Sequence, residues 1–261
     1  MSNAKKLFEA AAGTAAAGGG GLDVADLFSM FIYKGNGGTQ TITNGIDLTE
    51  GGLVWSKNRA AGSHSLIDTA RGGTKLLKSD TNGSEASYSG FITSFNSNGF
   101  ALGDSSQTNY NTSSYASWTF REAPKFFDIV EYTGSGVNNQ TFSHSLESLP
   151  GMVIIKNISR ASTDWWVWVN DSITSNEGRL NTTGDFGYNV IGTVTDTTVQ
   201  TLNQNQTATN YNGDKYVAYL FGSNSGGNGG FGPAADQDII KCGSFTTSGE
   251  TDITLGWEPQ Y

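Results

Sequence analysis

One feature limits what this chain can fold into more than any other: it repeats itself at an interval of about one hundred residues. Asn109-Tyr110-Asn111, followed by Tyr115-Ala116-Ser117-Trp118-Thr119-Phe120, returns as Asn210-Tyr211-Asn212 and Tyr216-Val217-Ala218-Tyr219-Leu220-Phe221. Tyr33-Lys34-Gly35-Asn36-Gly37 returns as Tyr132-Thr133-Gly134-Ser135-Gly136, and Val54-Trp55-Ser56-Lys57-Asn58 as Val153-Ile154-Ile155-Lys156-Asn157. The landmarks keep their order in both copies, so the repeated object is a folding unit rather than a motif. A unit of that size buries enough surface to fold on its core alone. Asp238-Ile239-Ile240 resembles Asp128-Ile129-Val130 and predicts the opening of a third unit. That unit would need strands from beyond Tyr261 or from another subunit, since a lone strand leaves its edge and face uncovered.

Each unit reads as strands. Residues 28–33 and 127–132 are apolar runs that end in glycine-containing turns, and 53–55 and 152–155 are short continuous apolar runs of the kind buried on both faces. Residues 165–169 (WWVWV) are aromatic and β-branched, and 115–120 alternate so that one face can be core. With 35 glycines, 11% aromatics and only 15% charged residues, the composition suits short strands joined by polar turns. The expected fold is all-β: tandem, jelly-roll-like β-sandwiches after an Ala/Gly-rich arm. The expected boundaries are 1–21 for the arm and its glycine hinge, 22–121 and 122–222 for the two sandwiches, 223–235 for a flexible glycine-rich linker, and 236–261 for the incomplete third unit. Only the Ala-rich start has an appetite for helix.

The residues along the chain point away from catalytic chemistry. A formal charge of −9 with no basic cluster disfavours nucleic acid. No apolar run is long enough to insert in a membrane as a helix. The lone Cys242 forms no internal disulfide, and His64 and His144 lack the neighbours of a metal site, so no cofactor is expected. No Gly-x-Ser-x-Gly elbow occurs. The acids a glycosidase would need (Asp80, Glu85, Asp104, Asp164, Asp171, Glu177, Asp185) lie mainly in turns and form no core-facing pair, and the expectation is a non-enzyme. One local feature stands out: Trp166 and Trp168 share a strand face and Trp165 takes the other. Whichever face is not core would offer an aromatic platform for a glycan or a neighbouring subunit.

The repeated pieces also resemble a family. Residues 26–29 (DLFS), 33–37 (YKGNG), 52–55 (GLVW), 93–100 (TSFNSNGF), 116–128 (ASWTFREAPKFFD), 149–156 (LPGMVIIK) and 255–259 (LGWEP) are similar to the tail-fibre-like repeat proteins of marine tailed bacteriophages, as is the AAAG opening at 10–13. The resemblance implies a virion structural protein made in the host cytoplasm and carried on a tail appendage, as the proximal, virion-anchoring part of a fibre that leads to host-receptor binding. It implies self-association, as a homotrimer, and contact with other tail proteins of adaptor or nozzle type. A host surface glycan would be met through a distal part. Docking to the virion falls to the arm, through Leu7, Phe8, Ala10, Ala11 and Ala12. A carbohydrate-binding module and a head-decoration protein are the alternative expectations.

Overall fold

The computed structural model describes residues 21–170, 177–184, 187–202 and 206–243. Among them the chain is nearly all strand, with helix limited to two single turns, α1 (Val24–Leu27) and α2 (Ser106–Asn109), and one 3-10 turn at Leu48–Glu50. Both α turns begin at a capping side chain that the strand reading passed over. Asp23 pairs with Asp26 in a capping box, and the Ser105 hydroxyl accepts from the Gln107 N–H.

The first half is a sandwich of two antiparallel sheets. Its main sheet runs β1-β9-β3-β4, from β1 (Phe28–Lys34), β3 (Gly52–Asn58), β4 (His64–Asp68) and β9 (Ser114–Arg121). The smaller sheet runs β2-β8-β7, from β2 (Gln40–Thr43), β7 (Ile92–Asn96) and β8 (Gly99–Leu102). A two-stranded ribbon, β5 (Lys75–Leu76) and β6 (Ala86–Ser87), lies beside them. The last strand inserts between the first and third, and the second pairs with the penultimate one. That is the winding of a jelly roll, from which the β3–β4 hairpin departs.

The second half repeats these pairings. Its main sheet runs β10-β17-β12-β13-β14, from β10 (Phe127–Thr133), β12 (Met152–Asn157), β13 (Trp165–Val169), β14 (Glu177–Arg179) and β17 (Lys215–Phe221). Its smaller sheet runs β11-β16-β15, from β11 (Gln140–Ser143), β15 (Ile191–Val194) and β16 (Thr198–Thr201). Registers correspond residue by residue. Tyr33 faces Tyr115 as Tyr132 faces Tyr216, Leu53 faces Phe120 as Met152 faces Phe221, and Leu53 faces Asp68 as Met152 faces Val169. The strand β14 takes the place of a single bridge in the first sandwich, where Leu66 of β4 pairs with Leu77 as Val167 of β13 pairs with Gly178.

Strand alternation distributes the side chains over three cores. Tyr33, Val54, Ile67 and Tyr115 point at Ile42, Phe100 and Leu102 of the small sheet in the first sandwich. Val153, Ile155, Trp166, Trp168 and Leu220 point at Phe142, Ile191 and Val199 in the second. The remaining faces of the two main sheets meet each other, with Leu53 and Leu66 against Ile154, Trp165, Val167, Tyr219 and Phe221. The halves are therefore not beads on a tether. They share a core.

Residues 223–235, expected to flex, are tied down on both sides. The carboxylate of Asp238 accepts from the N–H groups of Gly227 and Gly229, Gly232 N–H donates to Leu22 O, and the Asn224 amide donates to Lys125 O. Residues 238–243 form no strand; Ile239, Ile240 and Cys242 pack on the shared core instead. The rest of the expected third unit, 244–261, lies outside the described residues, as does the arm before Gly21 with Leu7, Phe8, Ala10, Ala11 and Ala12.

Candidate functional site: the joint between the sandwiches

The repeated Asn-Tyr landmarks prove to be knots that close one end of each sandwich. Tyr33 stacks on Tyr115 at 5.1 Å, and Tyr132 on Tyr216 at 5.0 Å, both nearly parallel. The Tyr33 hydroxyl donates to Thr108 O (2.7 Å) and that of Tyr132 to Thr209 O (2.9 Å). The hydroxyls of Tyr115 and Tyr216 accept from the N–H of Tyr110 (2.9 Å) and Tyr211 (2.8 Å). Between them sits a fully buried asparagine. Asn109 accepts from Asn36 N–H and donates to Gly38 O and Gly103 O; Asn210 accepts from Ser135 and Gly136 N–H and donates to Val137 O. Buried polar groups of this kind persist because each has a partner. The repeated glycines follow from the same knots. A Cβ on Gly35 or Gly134 would come within 2.3 Å of the carbonyl oxygen of Tyr110 or Tyr211.

The joint itself has three contacts. At its base Phe120 meets Phe127 and Phe221, each at 5.5 Å between ring centres, and Phe127 meets Phe221 at 5.0 Å. At its middle is a buried ionic cluster. Arg71, in the turn after β4, donates from Nε to Asp68 Oδ2 (2.7 Å), from Nη1 to Glu85 Oε2 (3.1 Å) and from Nη2 to the Tyr219 hydroxyl (3.1 Å). Tyr219 in turn donates to Asp68 Oδ2 (2.7 Å), which carries the network from one sandwich to the other. Burial opposes the charge on Arg71, yet Tyr219, Asp68 and Glu85 together hold its proton more firmly than usual. At its far side the Trp165 indole donates to Lys78 O (2.9 Å) and Thr81 O (3.1 Å), while Thr163 N–H donates to Asn82 O and Glu85 N–H to Ile158 O. The loop 78–85 of the first sandwich is thereby bolted to the second.

This geometry overturns the expectation of an exposed tryptophan platform. Trp165, Trp166 and Trp168 are 0%, 8% and 7% exposed. Sequence alternation placed them correctly on two faces, but a sheet covers each face. Trp165 lies in the shared core and Trp166 and Trp168 in the core of the second sandwich, where the Arg179 guanidinium caps the Trp166 ring.

Most of the other candidates from the sequence have structural partners, and Asp80 is exposed in a turn. His64 Nδ1 accepts from the Trp55 indole, and His144 Nδ1 accepts from Leu146 N–H. Lys57 and Lys156, a repeated pair, cap the turns that follow their strands. Lys57 donates to Asn58 O and Ala61 O, and Lys156 to Asn157 O and Thr163 Oγ1. Burial pulls Lys156 down to about 8. Asp164 binds Arg179 and Asn181, Asp104 accepts from Tyr88, and Glu85 belongs to the joint. Glu177 is buried on β14, where it accepts from Val190 and Ile191 N–H; burial raises it to about 7 against those two hydrogen bonds. Glu122, in the connection between the sandwiches, is raised to about 7 by burial and then by Asp128. Asp171 and Asp185 lie outside the described residues. Burial also pushes the Cys242 thiol up to about 11.

Among the described residues no group of three His, Cys, Asp or Glu side chains is placed to hold a metal ion. No helix there is long and apolar enough to cross a membrane. A shallow open pocket of about 220 Å³, lined by Leu22, Ala123, Pro124, Lys125 and residues 229–231, offers a single ionisable side chain. The Asp68–Arg71–Glu85–Tyr219 cluster escaped the sequence reading because its members lie up to 151 residues apart. The local hint was an aspartate ending the apolar strand 64–68 with an arginine three residues on.

Compared with known protein families, residues 23–257 match the model of a domain of unknown function, DUF7483. No curated protein and no solved structure matches the chain.

Proposed function

The chain belongs to the DUF7483 family, and from that premise we propose that it is a non-catalytic structural protein of a bacteriophage virion, the proximal spacer of a tail fibre. The observation that carries this reading is the joint. Two sandwiches of the same winding are held face to face by a buried Arg–Asp–Glu–Tyr cluster, a phenylalanine base and a tryptophan bolt. A joint of that kind stiffens a protein against bending between its units. A rigid bar is what a spacer must be, and repeated units lengthen it with few new solutions to the folding problem. The matched family region spans both sandwiches, in keeping with the pair acting as one unit. The resemblance to tail-fibre-like proteins supplies the setting: docking by the arm through residues such as Leu7 and Phe8, homotrimeric assembly, tail proteins of adaptor or nozzle type as partners, and a distal part that reaches the host surface.

Deleting residues 1–20 tests the reading. The shortened protein should keep its thermal midpoint and disappear from purified particles, as followed by immunogold labelling and cryo-EM. Undiminished incorporation would refute the anchoring role, and labelling of the capsid head would replace the fibre with a head-decoration protein.

A further inference from the structure

The shared register allows the two main sheets to be compared side chain by side chain, and among the described residues one face lacks the cover its counterpart has. Met30, Ile32, Ala116 and Trp118 on β1 and β9 stand where Ile129, Glu131, Val217 and Tyr219 stand on β10 and β17. In the second sandwich Ile129 is 8% exposed, and Val217 and Tyr219 are buried, all three in the core shared with the first. In the first sandwich Met30 is 42% and Ile32 55% exposed, and Ala116 and Trp118 are half-buried. The uncovered patch is continuous with the joint, because Trp118 is paired directly with Trp55, and Trp55 packs on the shared core.

The strand β1 is also an edge, and among the described residues no strand pairs with its outer side. The strand β10 is an edge too, but it carries the exposed Glu131 at the place of Ile32. A charge on an edge strand discourages further pairing, whereas an exposed apolar edge invites it. The two sandwiches thus treat the same edge in opposite ways.

We propose that the face made by Met30, Ile32, Ala116 and Trp118 is the contact through which a second copy of this chain docks. The molecule itself identifies the occupant, because the equivalent face of the second sandwich is covered by a sheet of the same fold. The branched and flexible aliphatic side chains beside Trp118 suit a protein surface. A sugar would instead call for bare rings bordered by hydrogen-bonding groups. The contact deepens the spacer reading by naming where copies meet, and it rests on that reading only for its purpose.

Sedimentation velocity of the intact chain over a wide concentration range tests it, alongside Ile32→Glu, which copies the residue of the second sandwich, and Met30→Lys. The wild type should associate as concentration rises. Each variant should weaken association by roughly tenfold or more, as expected for a central apolar contact, with an unchanged thermal midpoint at dilutions where the wild type is also monomeric. Using two variants guards against one that misfolds. A wild type that stays monomeric overturns the proposal, as does association that neither variant weakens. So does a monomer whose tryptophan fluorescence shifts with a host polysaccharide and loses that response in Trp118→Ala, which would make the face a glycan site. Association in solution does not depend on location. A chain that associates but is missing from particles would refute the fibre and leave this contact standing, and a monomer found on the tail would do the reverse.

Discussion

The two sandwiches share their winding, their registers and their Asn-Tyr knots, yet they differ on the main-sheet face turned away from their own small sheet. In the first, that face carries His64, Trp55 and Trp118, with Met30 and Ile32 left in the open. In the second, the equivalent positions hold Trp165, Ile154, Tyr219, Ile129 and Glu131, and all but the glutamate are buried. Where the first sandwich has the single Leu66–Leu77 bridge, the second has the strand β14, which brings in the buried Glu177. What is repeated encodes how each unit folds. What differs encodes how the units are assembled.

The most severe way to break this comparison is to remove Arg71. Asp68 is fully buried, and an unpaired buried carboxylate typically costs about 3–5 kcal/mol. Arg71→Ala should lower stability by that order in urea denaturation, with the loss concentrated in the coupling between halves. The same stability as wild type would mean the cluster does not hold the joint.

A second test uses the equivalence of His64 and Trp165, which face Lys57 and Lys156 respectively. Trp165→Ala should cost about 3 kcal/mol, as large aromatic truncations in cores do. His64→Ala should cost much less, because His64 is half-buried and bolts nothing across the joint. Equal urea midpoints for the two variants would erase the distinction.

The smallest effect concerns pH. Glu177 and Glu122 are both raised from an ordinary 4.5 to about 7, so the folded chain holds their protons more tightly than the unfolded one. Their contribution to stability is therefore full below about pH 4.5 and is lost as pH rises through 7. Lys156 acts in the opposite direction and higher up. Lowered from 10.5 to about 8, it contributes fully only above its unfolded value and loses that contribution as pH falls through 8. Glu177→Gln should remove roughly 1–3 kcal/mol of the fall between pH 4.5 and 7. A titration of thermal midpoints checks it, and an unchanged slope would count against the buried carboxylate.

Much of the fold was legible because strand signals are local. The run 165–169 became β13 with those bounds, and 28–33, 115–120 and 127–132 each became a strand within a residue or two. The repeat announced the knots at Asn109 and Asn210 without revealing their purpose, since their hydrogen bonds reach back more than seventy residues. The fate of the tryptophans was not legible. A strand's sequence separates its two faces but does not say what lies across from each. The glycine-rich run 223–235 looked free for a similar reason. The carboxylate of Asp238 and the carbonyls of Leu22 and Lys125 that interact with it and its flanks are supplied by tertiary structure.

The central claim is that the two sandwiches behave as one rigid body. Differential scanning calorimetry of the intact chain tests it most directly, by comparing the calorimetric and van't Hoff enthalpies of unfolding. The account predicts one cooperative transition in which the two agree, and two transitions once Arg71→Ala and Trp165→Ala are combined. Two separable transitions in the unaltered chain, each carrying about half the heat, would contradict it.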